Sequence, residues 1–400
     1  MASAPITIEE ARRSVLSHVH GLGSERIPID AALGRVLAGA VTAGGDVPPF
    51  ACSAMDGYAV KAGTSGRALR VVGEARAGSP TTRTLGDGEA IRISTGAAVP
   101  EGAEGVIRQE DARQLEGEIL TDAPTRPGEN IRAAGEDMRA GAVVLEAGTV
   151  LGAAELGAAV GAGAGAVSVA RAPRVAVLCT GDELRAPGEP LGPGEIHNSN
   201  EAMLRSLAQR TGALATTGER LPDDFEITRA ALESHLGRAD AVVISGGVSV
   251  GPHDHVKPAL ASLGVQEVFW RVSLQPGRPT WFGVRDKTLV FGLPGNPVSV
   301  VVTFCLFVRP ALLAMQGALP RAQPLSEVAL GAAVARNPRR EQALRVRLER
   351  RDGALVATPN GAQASHLLSS LIGAHALAFI PPGEGQLPAG TMVAIEELPH

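Results

Sequence analysis

Aromatic side chains are scarce in this chain of 400 residues: Phe 8, Trp 2 and Tyr 1 make only 3%. Hydrophobic content still reaches 44%, so the core is expected to consist mainly of Ala, Val, Leu and Ile. Charged residues make up 20% and the net charge is −5, which excludes intrinsic disorder at this hydrophobicity. Cysteine is nearly absent. Cys52, Cys179 and Cys305 lie far apart and no CxxC occurs. A disulfide framework or structural zinc is disfavoured, and a reducing cytoplasm is the expected setting. Lysine is as rare: of 37 basic residues only Lys61, Lys257 and Lys287 are lysine, leaving 34 arginines. The mildly acidic total argues against nucleic-acid partners. No run of 18 apolar residues is present, and the first residues lack the apolar stretch of a signal peptide. Neither a membrane span nor export is expected.

Glycine and proline are abundant instead. Gly 49 and Pro 28 total 77 residues, about 19% against roughly 12% in average chains. The glycines have no period of three, which excludes collagen. Length argues for several units, and the punctuation argues for many turns and short strands.

The chain reads as four units. Thr7 and Glu10 form a capping box ahead of Ile8, Ala11, Val15 and Val19 at helical spacing. A second short helix is expected over 31–38. Short apolar runs between Gly, Pro, Thr and Asp clusters make 51–131 a β-rich insertion. It interrupts a discontinuous, elongated first domain of 1–50 plus 132–170. The stretch Gly161–Gly165 tempts a dinucleotide-loop reading, but it follows a helical run and precedes a strand, the reverse of what that loop needs. Residues 171–316 alternate strand and helix and predict a mostly parallel three-layer α/β/α domain. Residues 317–400 show short alternating strands and predict a small C-terminal β-barrel.

In such an α/β sheet, ligands bind beyond the carboxyl ends of the strands. Three strand ends carry unusual loops. Thr180-Gly181-Asp182-Glu183 combines a backbone free to face a ligand with two acids suited to a divalent cation. Ser245-Gly246-Gly247-Val248-Ser249-Val250-Gly251, leading to Asp254 and Lys257, can form an oxyanion nest. Gly292–Pro297 places Asn296 at an N-cap and Pro297 at the first helical position, after Pro294. Arg271 and the run Gln275-Pro276-Gly277-Arg278-Pro279 supply guanidinium groups for phosphate oxygens. His253 and His255 flank Asp254 but lack a third histidine. Two further polar loops, 53–58 and 130–137, stand beside glycines, as does Thr95-Gly96. There is no GxxxxGK[ST] and no GxSxG, so neither a P-loop nor a nucleophile elbow is supported. Cys179 ends a strand, but no chemistry requires it as a nucleophile. Anion-binding loops with scattered carboxylates point to a phosphate- or oxyanion-bearing ligand with a divalent cation.

These motifs together resemble the MoeA family of molybdopterin molybdenumtransferases, which is related to the E domain of gephyrin. The matching segments are Ser53–Val60, Ser94–Glu101, Gly128–Asp137, Pro173–Leu184, Ser245–Gly251 with Asp254, and Gly292–Ser299. They fall in one order over nearly the whole chain. The resemblance implies a transferase that inserts molybdate into the dithiolene of adenylylated molybdopterin, aided by Mg2+, with loss of AMP. It implies a homodimer whose site combines the α/β domain of one subunit with the first two domains of the other. Apo-molybdoenzymes and a molybdopterin adenylyltransferase are the further partners implied.

Carried over by motif, Asp56, Thr95, Arg132 and Asp137 fall on the partner side of that site. Glu183, Asp223 and Asp254 are its acids and the expected Mg2+ ligands. Thr180, Gly181, Ser245, Gly246, Gly247, Ser249 and Gly251 cradle the pterin phosphate end. Arg271, Arg278 or the helix start at Pro294, Asn296 and Pro297 receives molybdate, and Ser365 joins from the last domain. Two positions depart from the family pattern. Arg271 and Gln275 stand where lysine is common, and the lost charge at Gln275 should weaken anion binding unless Arg278 compensates. A scaffold without turnover and a tungsten-inserting paralogue are the competing readings.

Overall fold

The computed structural model describes residues 4–216, 219–248, 254–319, 326–351 and 353–399. The chain opens with the helix Ile8–Ser17, started by the expected capping box. The Thr7 hydroxyl accepts from Glu10 N at 3.1 Å, and the Glu10 carboxylate accepts from Thr7 N at 2.8 Å. Its buried residues are Ile8, Ala11 and Val15. The second helix expected over 31–38 does not form. Only a 3-10 turn, Ile29–Ala31, precedes Gly34, whose φ of +75° breaks the helical path. Val36 and Leu37 then leave for bridges with Val150 and Val169.

Three short antiparallel ladders zip the start of the chain to residues beyond 130: Ser24–Pro28 with Ala166–Ala170, Val41–Thr42 with Val143–Leu145, and Cys52–Ser53 with Ile131–Arg132. The segment between them folds into its own six-stranded sheet. Its spatial order is Gly105–Arg108, Gly57–Val60, Glu89–Ile93, Ala68–Ala75, Glu118–Thr121 and Ala112–Gln114. The Gly161–Gly165 stretch is a helix stop, as read: the helix Ala153–Gly161 ends there and Gly163 turns with φ +91° into a strand.

The next unit is the three-layer α/β/α domain. Leu214–Ala215, Arg174–Thr180, Ala241–Ser245 and Thr288–Leu293 run parallel, and Trp281–Arg285 and Gln266–Trp270 continue the sheet antiparallel. Both faces are buried, which is why these strands are continuous apolar runs rather than alternating ones. The helices Phe225–His235 and Val256–Ser262 cover one face. The helix Ser199–Arg210 and the helical run 297–315 cover the other.

That last run bears on the expectation that no segment spans a membrane. Pro297–Met315 has a mean hydropathy of 2.1 and, among the described residues, is the one helix long and apolar enough to cross a membrane. It is 78% buried inside the fold, so its apolarity is that of a core helix. It is not uniformly α: a π-helical turn, Phe304–Val308, separates Pro297–Thr303 from Arg309–Met315. Proline at position 310 withholds one amide hydrogen, in keeping with a helix that changes its bonding pattern there.

The C-terminal barrel is present. Glu341–Arg351, Ala354–Pro359, Ser326–Leu330, Met392–Glu397 and Ala376–Ile380 pair in a ring, closed by the last strand returning to the first. Leu274–Gln275 of the α/β domain adds to it in parallel beside Glu341–Gln342. This graft brings the Gln275–Pro279 loop against the barrel.

Candidate active site

The three strand-end loops converge. Asn200, in the first turn of the helix Ser199–Arg210, donates to Ser245 Oγ at 2.9 Å and to Gly295 O at 2.7 Å. The Ser245 hydroxyl donates to Pro294 O at 3.3 Å. One buried serine therefore fixes the second loop to the third. The first loop is fixed to the second by close backbone approach. Gly246 has φ +93°, and a Cβ there would lie 2.8 Å from Thr180 Oγ1 and 2.9 Å from Thr180 O. Only glycine lets the two strand ends meet in this way. At Gly181, φ is +147° and a Cβ would strike the Glu183 carboxylate, so the glycine leaves room for that acid.

These loops border a cavity of about 540 Å³, lined by Thr180, Glu183, Asn198, Asn200, Ser245, Pro294 and Asn296 among others. A second cavity of about 380 Å³ adjoins it. Both are lined by Pro279, Pro294, Asn296 and His366. The second adds Gln275, Gly277 and Arg278 from the α/β domain with Arg340, Gln363 and Ser365 from the barrel. Asn296 sits where an N-cap was expected, with Pro297 after it, but its side chain makes no cap bond. It donates to Ser365 Oγ at 2.9 Å instead, and Val298 N donates to Ser365 O at 3.2 Å. The helix start is thus occupied by the last domain.

Gln275 is not a free cavity group. Asn337 Nδ2 donates to its side-chain oxygen at 2.5 Å, and Asn337 Oδ1 accepts from the backbone N–H groups of Arg339 and Arg340. The charge in this cavity comes from Arg278 and Arg340. Arg271 lies elsewhere. Its left-handed backbone, φ +75°, sets its guanidinium 3.9 Å from the centre of the Trp270 ring. Lys257 Nζ lies 3.6 Å from the same ring, and burial lowers the pKa of this lysine. Trp270 Nε1 donates to Val248 O at 3.1 Å, tying this pair of cations to the second loop.

A separate cluster holds the other expected residues. Thr95 N donates to Asp56 Oδ1 at 2.6 Å. That backbone bond is the main cause holding the exposed Asp56 carboxyl below its usual range. Ser53 organises the surroundings: its backbone bonds to Gly96 and Ala97, and its strand pairs Cys52 with Arg132. Asp137 N donates to Val47 O at 3.0 Å in the adjoining segment. Asp56, Thr95, Arg132 and Asp137 line neither cavity.

The three expected carboxylates are placed differently from one another. Glu183 lines the larger cavity, whereas Asp223 and Asp254 line neither. Asp223 N donates to Asp182 Oδ1 at 3.1 Å. Among the described residues no three His, Cys, Asp or Glu side chains gather as a metal site. Ser249, Gly251 and His253 lie outside the described residues. Cys179 is buried, and burial pushes its thiol up to about 12, which removes it as a nucleophile. Asn200, Arg340 and His366 were not singled out from sequence. Each sits beside ordinary polar neighbours, with no glycine motif to mark it.

The comparison with known proteins can now be set against this geometry. The description MoeA N-terminal region (domain I and II) matches residues 6–163, and MoeA C-terminal region (domain IV) matches 327–398. Between them, a probable molybdopterin binding domain matches 176–314. The molybdopterin molybdenumtransferase of Haemophilus influenzae is 33% identical over 99% of both chains. The chain belongs to the MoeA family of molybdopterin molybdenumtransferases. Molybdopterin molybdenumtransferase 2 of Mycobacterium tuberculosis is 35% identical over 98% of this chain and 99% of its own. The molybdopterin biosynthesis MoeA protein of Pyrococcus horikoshii superposes with a TM-score of 0.81 at 30% identity, covering 98% and 99% of the two chains. Enzymatic work in molybdenum cofactor biosynthesis follows from this membership. The four-part MoeA fold, barrel included, is the one expected from sequence.

Proposed function

We propose that the two adjoining cavities are the two halves of a molybdate-insertion site acting on adenylylated molybdopterin. The observation that carries this reading is their shared wall at Pro294 and Asn296. On one side stand the strand-end loops, whose backbone amides suit phosphate. On the other stand Arg278 and Arg340, whose forked donors suit a tetrahedral oxyanion such as molybdate. An oxyanion held there is next to whatever the loops hold, which is the positioning that transfer between them requires.

In this reading Thr180, Gly181, Ser245, Gly246 and Gly247 hold the phosphate end of the pterin substrate. Arg278, Arg340 and Ser365 hold molybdate and keep its charge neutralised. As the dithiolene takes the metal, a molybdate oxygen leaves as water; a water molecule cleaves the phosphoanhydride, so that AMP departs, molybdopterin keeps its terminal phosphate, and the arginines balance the negative charge released. Mg2+ would be supplied with the phosphates. This ion commonly uses one or two carboxylates plus substrate oxygens, so it needs no closed protein cage. Glu183 is the carboxylate placed for that role in this chain. Arg271 is assigned to support of the second loop through Trp270 rather than to molybdate.

Asp56, Thr95, Arg132 and Asp137 complete the site across a homodimer, as the resemblance implies. Their exposure without access to the cavities of their own chain supports this. A cytoplasmic setting is supported by three buried free thiols. Apo-molybdoenzymes would receive the product and a molybdopterin adenylyltransferase would supply the substrate.

The test is AMP release from adenylylated molybdopterin in the presence of Mg2+ and low molybdate. Wild-type protein should release AMP in a molybdate-dependent manner. Arg278→Ala and Glu183→Ala should each slow it at least tenfold, the scale of a lost charge-assisted contact. Wild-type rates in both variants would sink the assignment.

A further inference from the structure

His366 stands at the junction of the two cavities. It lines both, as do Pro279, Pro294 and Asn296. Of these four, only the imidazole can take up and release a proton near neutral pH. The backbone on either side of it is fixed. Ser365 O accepts from Val298 N at 3.2 Å, Ser365 Oγ accepts from Asn296 Nδ2 at 2.9 Å, and His366 O accepts from Leu368 N at 3.1 Å. The residue is exposed, and among the described residues its ring makes no hydrogen bond or ion pair. Both ring nitrogens are left to a ligand.

The other ionisable groups of the two cavities are unsuited or committed. Arg278 and Arg340 keep their protons at any working pH. Glu183 and His197 line only the larger cavity, and His197 Nε2 lies 3.0 Å from Glu189 O. Cys179 also lines the larger cavity, but burial pushes its thiol up to about 12. Insertion nevertheless requires protons to move. When a dithiol takes molybdate, two S–H bonds break and two Mo–S bonds form. One Mo–O bond breaks, and that oxygen leaves with both protons as water. Molybdenum keeps its oxidation state, so no oxidant or reductant is consumed. The sulfurs come from the loop side and the oxygen is held on the arginine side, so the protons cross the shared wall.

We propose that His366 is the proton-transfer residue of the insertion step, taking the proton released at a dithiolene sulfur and giving it to the molybdate oxygen that leaves as water. It does so once for each of the two thiols. The proposal rests on the reading of the two cavities as the pterin and molybdate halves of one site, and the test separates the two.

His366→Gln and His366→Ala are compared with the wild type in the full-length protein. Two quantities are measured: molybdate binding by isothermal titration, and the rate at which molybdenum is transferred to the pterin. His366→Gln should slow transfer at saturating molybdate roughly a hundredfold, the scale of a lost general acid–base group. Its molybdate affinity should stay within about twofold, because turnover and not binding depends on the ring. That retained affinity also shows that the variant is folded. In His366→Ala, added imidazole should restore part of the rate in proportion to its concentration. Wild-type transfer in His366→Gln, a loss confined to the molybdate KM, or a loss in His366→Ala that imidazole does not relieve overturns the proposal. Arg278→Ala is the reference. If it leaves molybdate binding unchanged, the reading of the cavity falls. If it weakens binding while both His366 variants transfer molybdenum normally, only the proton-transfer role falls.

Discussion

Asn296 and Ser365 meet across a domain boundary, the amide of one donating to the hydroxyl of the other at 2.9 Å. The start of the core helix is thereby closed by a loop of the barrel. Ser365→Ala should lower molybdate affinity about fivefold, the equivalent of one neutral hydrogen bond. Isothermal titration with molybdate checks this, and thermal unfolding should show little change because Val298 N still bonds to the backbone of residue 365.

The proposal that the site is shared between two subunits makes a sharper prediction. Asp56→Ala and Glu183→Ala should each be inactive alone. Mixed after dissociation, random pairing places both mutations in one of the two sites of each heterodimer and leaves the other intact, restoring about a quarter of the sites. Recovery of AMP release on mixing is the expected result. No recovery, with heterodimers demonstrated by tagged copies, would place both residues in the same subunit's site.

The cysteines should be silent. All three are buried, and Cys179 has its thiol pushed up to about 12 by burial. Iodoacetamide at neutral pH should label none of them in the native protein and all three in denaturant. Fast native labelling of Cys179 would contradict its place at the buried end of its strand.

Much of this was legible in the sequence, and the reasons differ by residue. The strand Arg174–Thr180 and its neighbours announce themselves because burial on both faces demands continuous apolar runs. Thr180, Gly181 and Ser245 were legible because a backbone that approaches a ligand, or another backbone, needs glycine nearby. Asn200, Arg340 and His366 were not. Each is a common residue type whose role depends on partners roughly 20 to 100 positions away, and loop closure over such spans leaves no local signature. The second helix failed for a related reason: its apolar spacing is real, but Val36 and Leu37 use it to bridge to Val150 and Val169.

Acid should loosen the α/β domain at one known place. Burial raises the pKa of Asp240, but the side chain and backbone of Arg174 outweigh it, and the carboxyl is held below its ordinary 3.8. A carboxyl depressed in the fold stabilises it at pH values above the ordinary pKa and loses that contribution as pH falls through the depressed value. Asp240→Asn should therefore lower thermal stability at pH 7 and shrink the gap to wild type below about pH 4. A gap that widens on acidification would reverse the sign and reject the pairing.

The core helix has a consequence for synthesis. Its surroundings include Ile8, Ala11 and Val15 from the first helix and Leu377, Phe379 and Leu398 from the last domain. Arg12 fastens both ends, donating to Leu306 O at 3.0 Å and pairing with Glu396. This helix, the most apolar among the described residues, is therefore made before the barrel residues that complete its cover. At roughly 5–20 residues per second, the last ~80 residues take roughly 4–16 seconds to follow. During that interval the nascent helix presents the surface a membrane-targeting factor or chaperone would read, and it is withdrawn only when the final strand closes the barrel.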